Sequence, residues 1–193
     1  MKERAITLLL IVSLIGALGS CKNNADYSYQ IAVVDSLQIS LDESILAYNQ
    51  WNMDSLKIIK GTMEGKLREM TVLLKQVKDT IAKDDGIFLG SYKSAGNAFK
   101  STIVNDRKFK KEIDITNLQL ANLRNDLKNK SLSEESIMSY LSDEKKAVTS
   151  LITGLDKTNK RYKLGTEQYK KMTPRVDSLI SFLNSRNDLL IAK

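Results

Sequence analysis

The sequence predicts an all-α protein, an elongated antiparallel up-and-down bundle of four to five helices with a protruding coiled-coil hairpin. Apolar residues recur along the chain at alternating spacings of three and four, which places them on one stripe of each helix. The 193-residue chain also has only one proline and nine glycines. It therefore lacks the regular turn signals and the β-branched alternation that a β-sandwich requires.

The first two predicted helices span about 25–49 and about 54–82, with Trp51 in a short connection between them. After the second helix, Lys83–Gly86 breaks the pattern, and the apolar residues 87–89 are expected to form a turn that packs back on the core. The two stripes are Tyr27, Ile31, Val34, Leu41, Ile45 and Tyr48, then Leu56, Ile59, Met63, Leu67, Met70, Leu74, Val77 and Ile81.

The third predicted helix spans about 92–129, and the fourth begins near Glu134 after a possible capping box at Ser131–Glu134. Both keep a strict spacing of three and four, which is typical of a coiled-coil seam. The seam of the third helix is Tyr92, Ala95, Phe99, Thr102, Asp106, Phe109, Ile113, Thr116, Leu120, Leu123 and Leu127. The seam of the fourth starts with Ile137, Leu141, Glu144, Val148, Leu151, Leu155, Thr158, Tyr162, Gly165, Tyr169 and Met172.

Pro174 allows two interpretations of the C-terminal region. Thr173 as an N-cap with Pro174 at the first helical position would start a fifth helix, and we favour this break. The seam nevertheless continues unchanged through Val176, Leu179 and Leu183, which is also compatible with one long helix kinked at the proline.

Short connections predict that the first and second helices, and the third and fourth, are antiparallel neighbours. The third and fourth helices are roughly 55–60 Å long at the helical rise, and the first two are shorter by about a third. We therefore expect the longer hairpin to protrude from the bundle. Its tip, centred on Lys128–Ser133, is the predicted docking end.

Several polar residues interrupt the seams: Gln38, Asp106, Thr116, Glu144, Thr158 and Arg186. Asp106 and Glu144 are the candidates for a buried carboxylate pair. Folding the third helix against the fourth places Asp106 opposite about Thr158, so the two carboxylates should lie far apart. We interpret the polar positions as residues that set the register of the seam.

The composition argues against catalysis. The chain has no histidine and one cysteine, which removes the commonest general base, the commonest transition-metal ligand and any internal disulfide. We expect no enzyme, no cofactor and no metal site. The stripe of Tyr162, Gly165 and Tyr169 leaves a small gap that would suit a flat ligand, but ordinary core packing is the favoured interpretation.

The net charge of +7 raises the question of nucleic acid. Lysines and arginines are mixed with acidic residues along the helices, and only 107–111 and 160–163 form basic clusters. These are interpreted as solvated helix faces, and no nucleic-acid partner is predicted.

The N-terminus carries the most specific motif. Met1–Arg4 is a short, net-positive segment, and Ala5–Ile15 is almost wholly apolar but shorter than the about 20 residues of a spanning helix. Leu18, Gly19, Ser20 and Cys21 follow it. This ending resembles the lipobox of bacterial prolipoproteins, in which a Leu and two small residues precede the cysteine that is lipidated.

The resemblance implies a lipoprotein precursor: residues 1–20 as a removed signal peptide, 21–26 as the lipidated Cys21 with a short tether, and 27–193 as one helical domain. Acyl chains on Cys21, such as palmitate, would anchor the exported protein to a bacterial membrane without spanning it. Lys22 is not the Asp of the inner-membrane retention signal. The outer membrane is therefore favoured if the host is diderm, and its periplasmic face is expected because no acidic cluster directly follows Cys21.

The predicted function is a structural or protein-interaction module of the cell envelope, with an envelope protein or a second copy as partner. The alternative is a ligand-binding or accessory lipoprotein with a hydrophobic pocket between helices. That alternative requires Ala95, Gly96, Ala98 and Gly165 to line one space.

Overall fold

The computed structural model describes residues 26–77 and 82–191, and the signal peptide, Cys21 and the start of the tether lie outside these residues. The described residues form four α-helices, and no strand occurs among them, which confirms the predicted all-α bundle. The helices are α1 (Ser28–Tyr48), α2 (Met53–Val77), α3 (Lys83–Asn129) and α4 (Glu134–Ile191).

Helices α3 and α4 form a long antiparallel hairpin, and α1 and α2 lie end to end in its groove. In α1, Asp35 pairs with Arg124 and Tyr48 with Asp106, so α1 runs antiparallel to α3. Trp51 bonds to Asn159, and Lys66 of α2 pairs with Asp177, so α1 and α2 both run parallel to α4. The described part of the molecule is therefore a three-helix bundle in cross-section. Its first helical layer consists of α1 and α2, which are separated by one short connection.

Two apolar clusters fill this bundle, one under each of the short helices. The cluster under α1 contains Tyr27, Val34, Leu41, Tyr48, Trp51, Phe109, Ile113, Leu120, Leu123, Leu127, Ile137, Val148, Leu151 and Leu155. The cluster under α2 contains Leu56, Met63, Met70, Leu73, Val77, Leu89, Tyr92, Ala95, Phe99, Val176, Ile180 and Leu183. Met53 and Tyr162 pack against both, so the core is continuous.

The predicted seam of α3 is confirmed. Every seam position from Tyr92 to Leu127 is buried except Asp106, which is half-buried. Leu89, three residues before Tyr92, extends the seam by one step. In the C-terminal part of α2 the buried stripe shifts by one residue. Leu73 is buried there, whereas the predicted position Leu74 is half-buried. Periodicity identifies the buried face because residues three and four apart share it.

Trp51 marks the break between α1 and α2. Its indole is 7% exposed and stacks on Tyr162, with 6.0 Å between ring centroids, while Nε1 donates to Asn159. Asn52 then starts α2, because its side-chain oxygen accepts from the backbone N–H of Ser55 at 2.8 Å. The four-residue connection thus interrupts the helix without reversing the chain.

This arrangement contradicts the predicted protruding hairpin. Among the described residues, α1 packs on α3 and α4 and has no comparable contact with α2, so the two short helices are not antiparallel neighbours. Tyr27 is buried in one cluster with Leu127 and Ile137, next to the turn. Because α1 and α2 add their lengths instead of lying side by side, they cover the hairpin to its tip.

The predicted break at Lys83–Gly86 is also wrong, since α3 begins at Lys83 and continues through Gly86 and Gly90. Asp84 and Asp85 lie in its first turn, where carboxylates favour the positive end of the helix dipole. Asp85 additionally pairs with Arg175 at 2.6 Å. The apolar residues after Gly86 are therefore helical, with Leu89 at the core.

The favoured break at Pro174 is wrong as well, because α4 is one helix of 58 residues with Pro174 inside it. A proline removes one backbone donor and costs about 3 kcal/mol in a helix interior. Contacts just beyond it hold the helix in place: Arg175 pairs with Asp85, Val176 is fully buried, and Asp177 pairs with Lys66. The unbroken seam was the better indicator.

The turn between α3 and α4 is closed by local hydrogen bonds. Lys130 has a left-handed backbone (φ 53°), and the N–H of Ser131 donates to the carbonyl of Asp126 at 3.1 Å. Ser133 caps α4, because its hydroxyl accepts from the N–H of Ser136 at 3.3 Å. The cap is thus Ser133, two residues after the predicted start of the capping box.

Candidate functional site

An apolar groove lies between α2 and α3, near the end of the molecule opposite the α3–α4 turn. Its volume is about 570 Å³. It continues into a second depression lined by Met63, Glu64, Tyr92 and Gly96. The residues that line the first part are Leu67, Arg68, Met70, Thr71, Val72, Leu74, Leu89, Gly90 and Lys93.

Small and outward-facing residues line the groove between α2 and α3. Gly90 lines it without a side chain, and a Cβ there would have no neighbour within 4 Å. Val72 is 53% exposed on its rim, whereas Met70 and Leu89 close its floor as part of the core. The floor is therefore apolar and belongs to the core, whereas the rim at Val72 is open to solvent.

Two cations, Arg68 and Lys93, line both parts of the groove. Neither forms a salt bridge within 4.0 Å to any residue that the structure describes. The nearby carboxylate of Glu64 pairs with Lys60, and this hydrogen bond is the main cause of its lowered pKa, to which the charge of Arg68 also contributes. The groove thus presents an apolar floor beside two cations that are available to an anionic group.

The gap at Gly165 is filled. A Cβ on Gly165 would lie 2.9 Å from Cε1 of Phe99, a fully buried side chain. Similarly, a Cβ on Gly154 would lie 3.2 Å from Cε1 of Phe109. The aromatic stripe on α4 is therefore core packing, and no flat ligand fits at Gly165.

The small residues proposed to line one pocket are dispersed. Gly96 faces Met63, with 3.8 Å between a hypothetical Cβ and the Met63 methyl carbon, and it borders the α2–α3 groove. Gly165 instead faces Phe99 inside the bundle. One glycine thus borders a surface groove and the other lies in the core. This contradicts a single enclosed pocket that both would line.

Asp106 and Glu144 lie far apart, as predicted. The contacts of Phe99 with Gly165 and of Phe109 with Gly154 fix the α3–α4 register. That register places Asp106 at the level of Thr158, about 14 residues or roughly 21 Å along α4 from Glu144. Among the described residues, no group of three or more His, Cys, Asp or Glu is arranged to hold a metal ion.

The two carboxylates have opposite environments. Asp106 accepts from the Tyr48 hydroxyl at 2.7 Å and from Lys110 at 2.9 Å. Partial burial is the largest single effect and raises the pKa of Asp106, but the two hydrogen bonds together with the charges of Lys110 and Lys57 outweigh it, so the net pKa is lowered. Burial, and then the charge of Asp143, raise the pKa of Glu144, whose Oε2 has no hydrogen-bond partner among the described residues.

The remaining polar seam positions act locally. The Gln38 amide donates to Asn117 of α3 and to Asp42, so it ties α1 to α3. Thr116 and Thr158 are buried. Arg186 is exposed near the end of α4, 5.8 Å from the centre of the Phe182 ring, so its predicted seam position is wrong.

Sequence reasoning missed the groove residues Arg68, Lys93 and Gly90. Periodicity identifies which face of a helix is buried but not where two faces fail to meet.

Cys21, the predicted lipidation site, lies outside the described residues. Within those residues, no helix combines the length and the apolar character needed to cross a membrane.

Comparisons of the chain with protein-family models, with curated protein sequences and with solved structures find no match.

Proposed function

We propose that this protein is a lipid-anchored helical lipoprotein of the bacterial cell envelope that acts as a protein-interaction module. The lipobox-like residues Leu18–Cys21 support the anchor. The observation that carries the interaction role is the α2–α3 groove, a surface groove with an apolar lining beside the cations Arg68 and Lys93. Lys22, which is not the Asp of the inner-membrane retention signal, supports attachment to the outer membrane if the host is diderm.

The partner that fits this groove is an amphipathic helix with carboxylates beside its apolar stripe. The groove extends along α2 from Met63 to Leu74, about 16 Å at the helical rise, which is enough for three turns of a docking helix. Apolar side chains of the partner would cover Val72 and Leu89. Its carboxylates would pair with Arg68 and Lys93, which steers association and sets specificity.

Site-specific photo-crosslinking in intact cells tests this role. A photoreactive residue at Val72 should capture an envelope protein through an acidic amphipathic helix, whereas one at Leu118 of α3 should not. The two positions are matched in exposure, at 53% and 62%. Capture from Val72 should fall at least several-fold when Arg68→Glu and Lys93→Glu are combined. Equal capture from Leu118, or capture from Val72 that is unchanged by the two charge reversals, would contradict the proposal.

A second candidate function is binding of an anionic amphiphile, and the same groove favours it. A single acyl chain would lie on the apolar floor, and its acidic head would meet Arg68 or Lys93. Native mass spectrometry of the purified protein distinguishes the two functions. A bound amphiphile, lost in Arg68→Glu, would favour this candidate, whereas a helix captured from Val72 would favour the interaction module.

A further inference from the structure

The N-terminus of α1 lies at the α3–α4 turn. Asp26 and Tyr27 share one shallow depression with Leu127, Lys128 and Lys130. Lys130 also contributes to lowering the pKa of Asp26, although hydrogen bonds from Ser28 are the larger cause. The chain thus enters the folded body at the tip of the hairpin.

The chain length between Cys21 and this entry point is short. Four residues lie between Cys21 and Asp26, and a fully extended chain covers at most about 18 Å over these five Cα–Cα steps. Helix α4 has 58 residues and is therefore roughly 87 Å long. An anchor at Cys21 reaches only the end of the molecule that carries the turn.

We propose that the 128–133 turn faces the bilayer that holds the acyl chains of Cys21, and that the opposite end projects away from it. This inference rests on the proposed lipidation of Cys21. It reverses the expectation from sequence, in which the same turn was the free docking end. The α2–α3 groove then lies far from the membrane, because Tyr27 and Leu67 are about 60 Å apart at the helical rise.

The surface around the turn suits contact with lipid head groups. Tyr29 and Tyr140 are 76% and 50% exposed near the turn, and tyrosine rings favour the membrane–water interface. Met138, also close to the turn, is 63% exposed. Tyr29 lies in the first turn of α1, and Met138 and Tyr140 lie in the second turn of α4, within reach of a bilayer at the tip.

Charge does not drive this contact, because both signs occur at the tip: Asp26, Asp126, Lys128, Lys130, Glu134 and Glu135. A mixed surface of this kind gains little from anionic lipids, which attract clusters of lysine and arginine. The acyl chains hold the protein at the bilayer, and the tyrosines support its orientation. We therefore expect the same orientation on zwitterionic and on anionic vesicles.

Fluorescence quenching by lipids tests the orientation. Acylation consumes the thiol of Cys21, the chain's single cysteine, so Ser131→Cys and Asp84→Cys each create one labelling site in the lipidated protein. Both positions are exposed, one in the turn and one at the start of α3. Vesicles with quenchers on their head groups should quench the label at position 131 at least threefold more than the label at position 84.

Equal quenching, or stronger quenching at position 84, would overturn the orientation in a protein that is acylated and sediments with vesicles. Preferential quenching that occurs only on anionic vesicles would overturn the role given to the acyl tether. Loss of acylation and of sedimentation in the parent protein would instead refute the proposed lipidation. Adding Cys21→Ser to both labelled proteins should abolish quenching at both positions.

Discussion

At the scale of single residues, glycines of α4 accommodate phenylalanines of α3. Gly165 and Gly154 lie against the rings of Phe99 and Phe109. The sequence identified Gly165 as a small residue in an aromatic stripe, but the stripe alone left open whether a ligand or a side chain fills the gap. That choice depends on the α3–α4 register, which sequence spacing constrains only after the turn is fixed.

We predict that Gly165→Ala destabilises the fold, because the new Cβ would lie 2.9 Å from the buried Phe99 ring. Overpacking typically costs about 1–3 kcal/mol, against about 1 kcal/mol gained from better helix propensity. Urea denaturation should show a net loss of about 1 kcal/mol.

Gly61→Ala is the matched control, because Gly61 lies inside α2 on its exposed face and a Cβ there meets nothing within 4 Å. It should gain about 0.5–1 kcal/mol. Similar gains from both substitutions would show that Phe99 does not occupy the gap.

Glu144 supplies a pH-dependent prediction. Its pKa is raised in the folded state, so folding takes up a proton as pH falls, and the charged form costs stability at pH 7. Glu144→Leu should therefore raise the free energy of unfolding at pH 7, by less than about 1 kcal/mol because the side chain is only partly buried. The gain should shrink below about pH 4, where glutamate is protonated in both states. A gain of equal size at both pH values would contradict the assignment.

At the scale of helices, periodicity predicted the buried faces better than it predicted the ends. The α3 seam from Tyr92 to Leu127 is correct because each position contributes to a repeating contact. The breaks expected at Gly86 and Pro174 were wrong because local signals compete with long-range contacts. Arg175 illustrates this, since it bonds to Asp85 and lies 4.4 Å from the centre of the Phe88 ring.

Pro174 should be replaceable. Pro174→Ala restores a backbone donor, so we expect a gain in stability of about 1–3 kcal/mol. The Thr173 hydroxyl already donates to the Tyr169 carbonyl at 2.7 Å and remains unchanged. Thermal unfolding monitored by circular dichroism provides the measurement. A lower melting temperature would show that contacts beyond the proline require its distortion of the helix.

At the scale of the whole molecule, the arrangement of α1 and α2 was not predictable from helix lengths. A short connection usually reverses the chain. Here Trp51 enters the core at the connection, and α2 continues in the direction of α1. Two short helices therefore cover one long hairpin, which places the chain entry at the α3–α4 turn and the groove near the opposite end.

We propose above all that Cys21 carries the membrane anchor of the helical body. Mass spectrometry of the N-terminal peptide, from protein extracted from host membranes with detergent, tests this lipidation. We predict a peptide that begins at Cys21 and carries a diacylglyceryl group on sulfur, with or without a further acyl chain on the amine. A membrane-extracted chain with an unmodified Cys21 thiol, or one that begins at another residue, would contradict it.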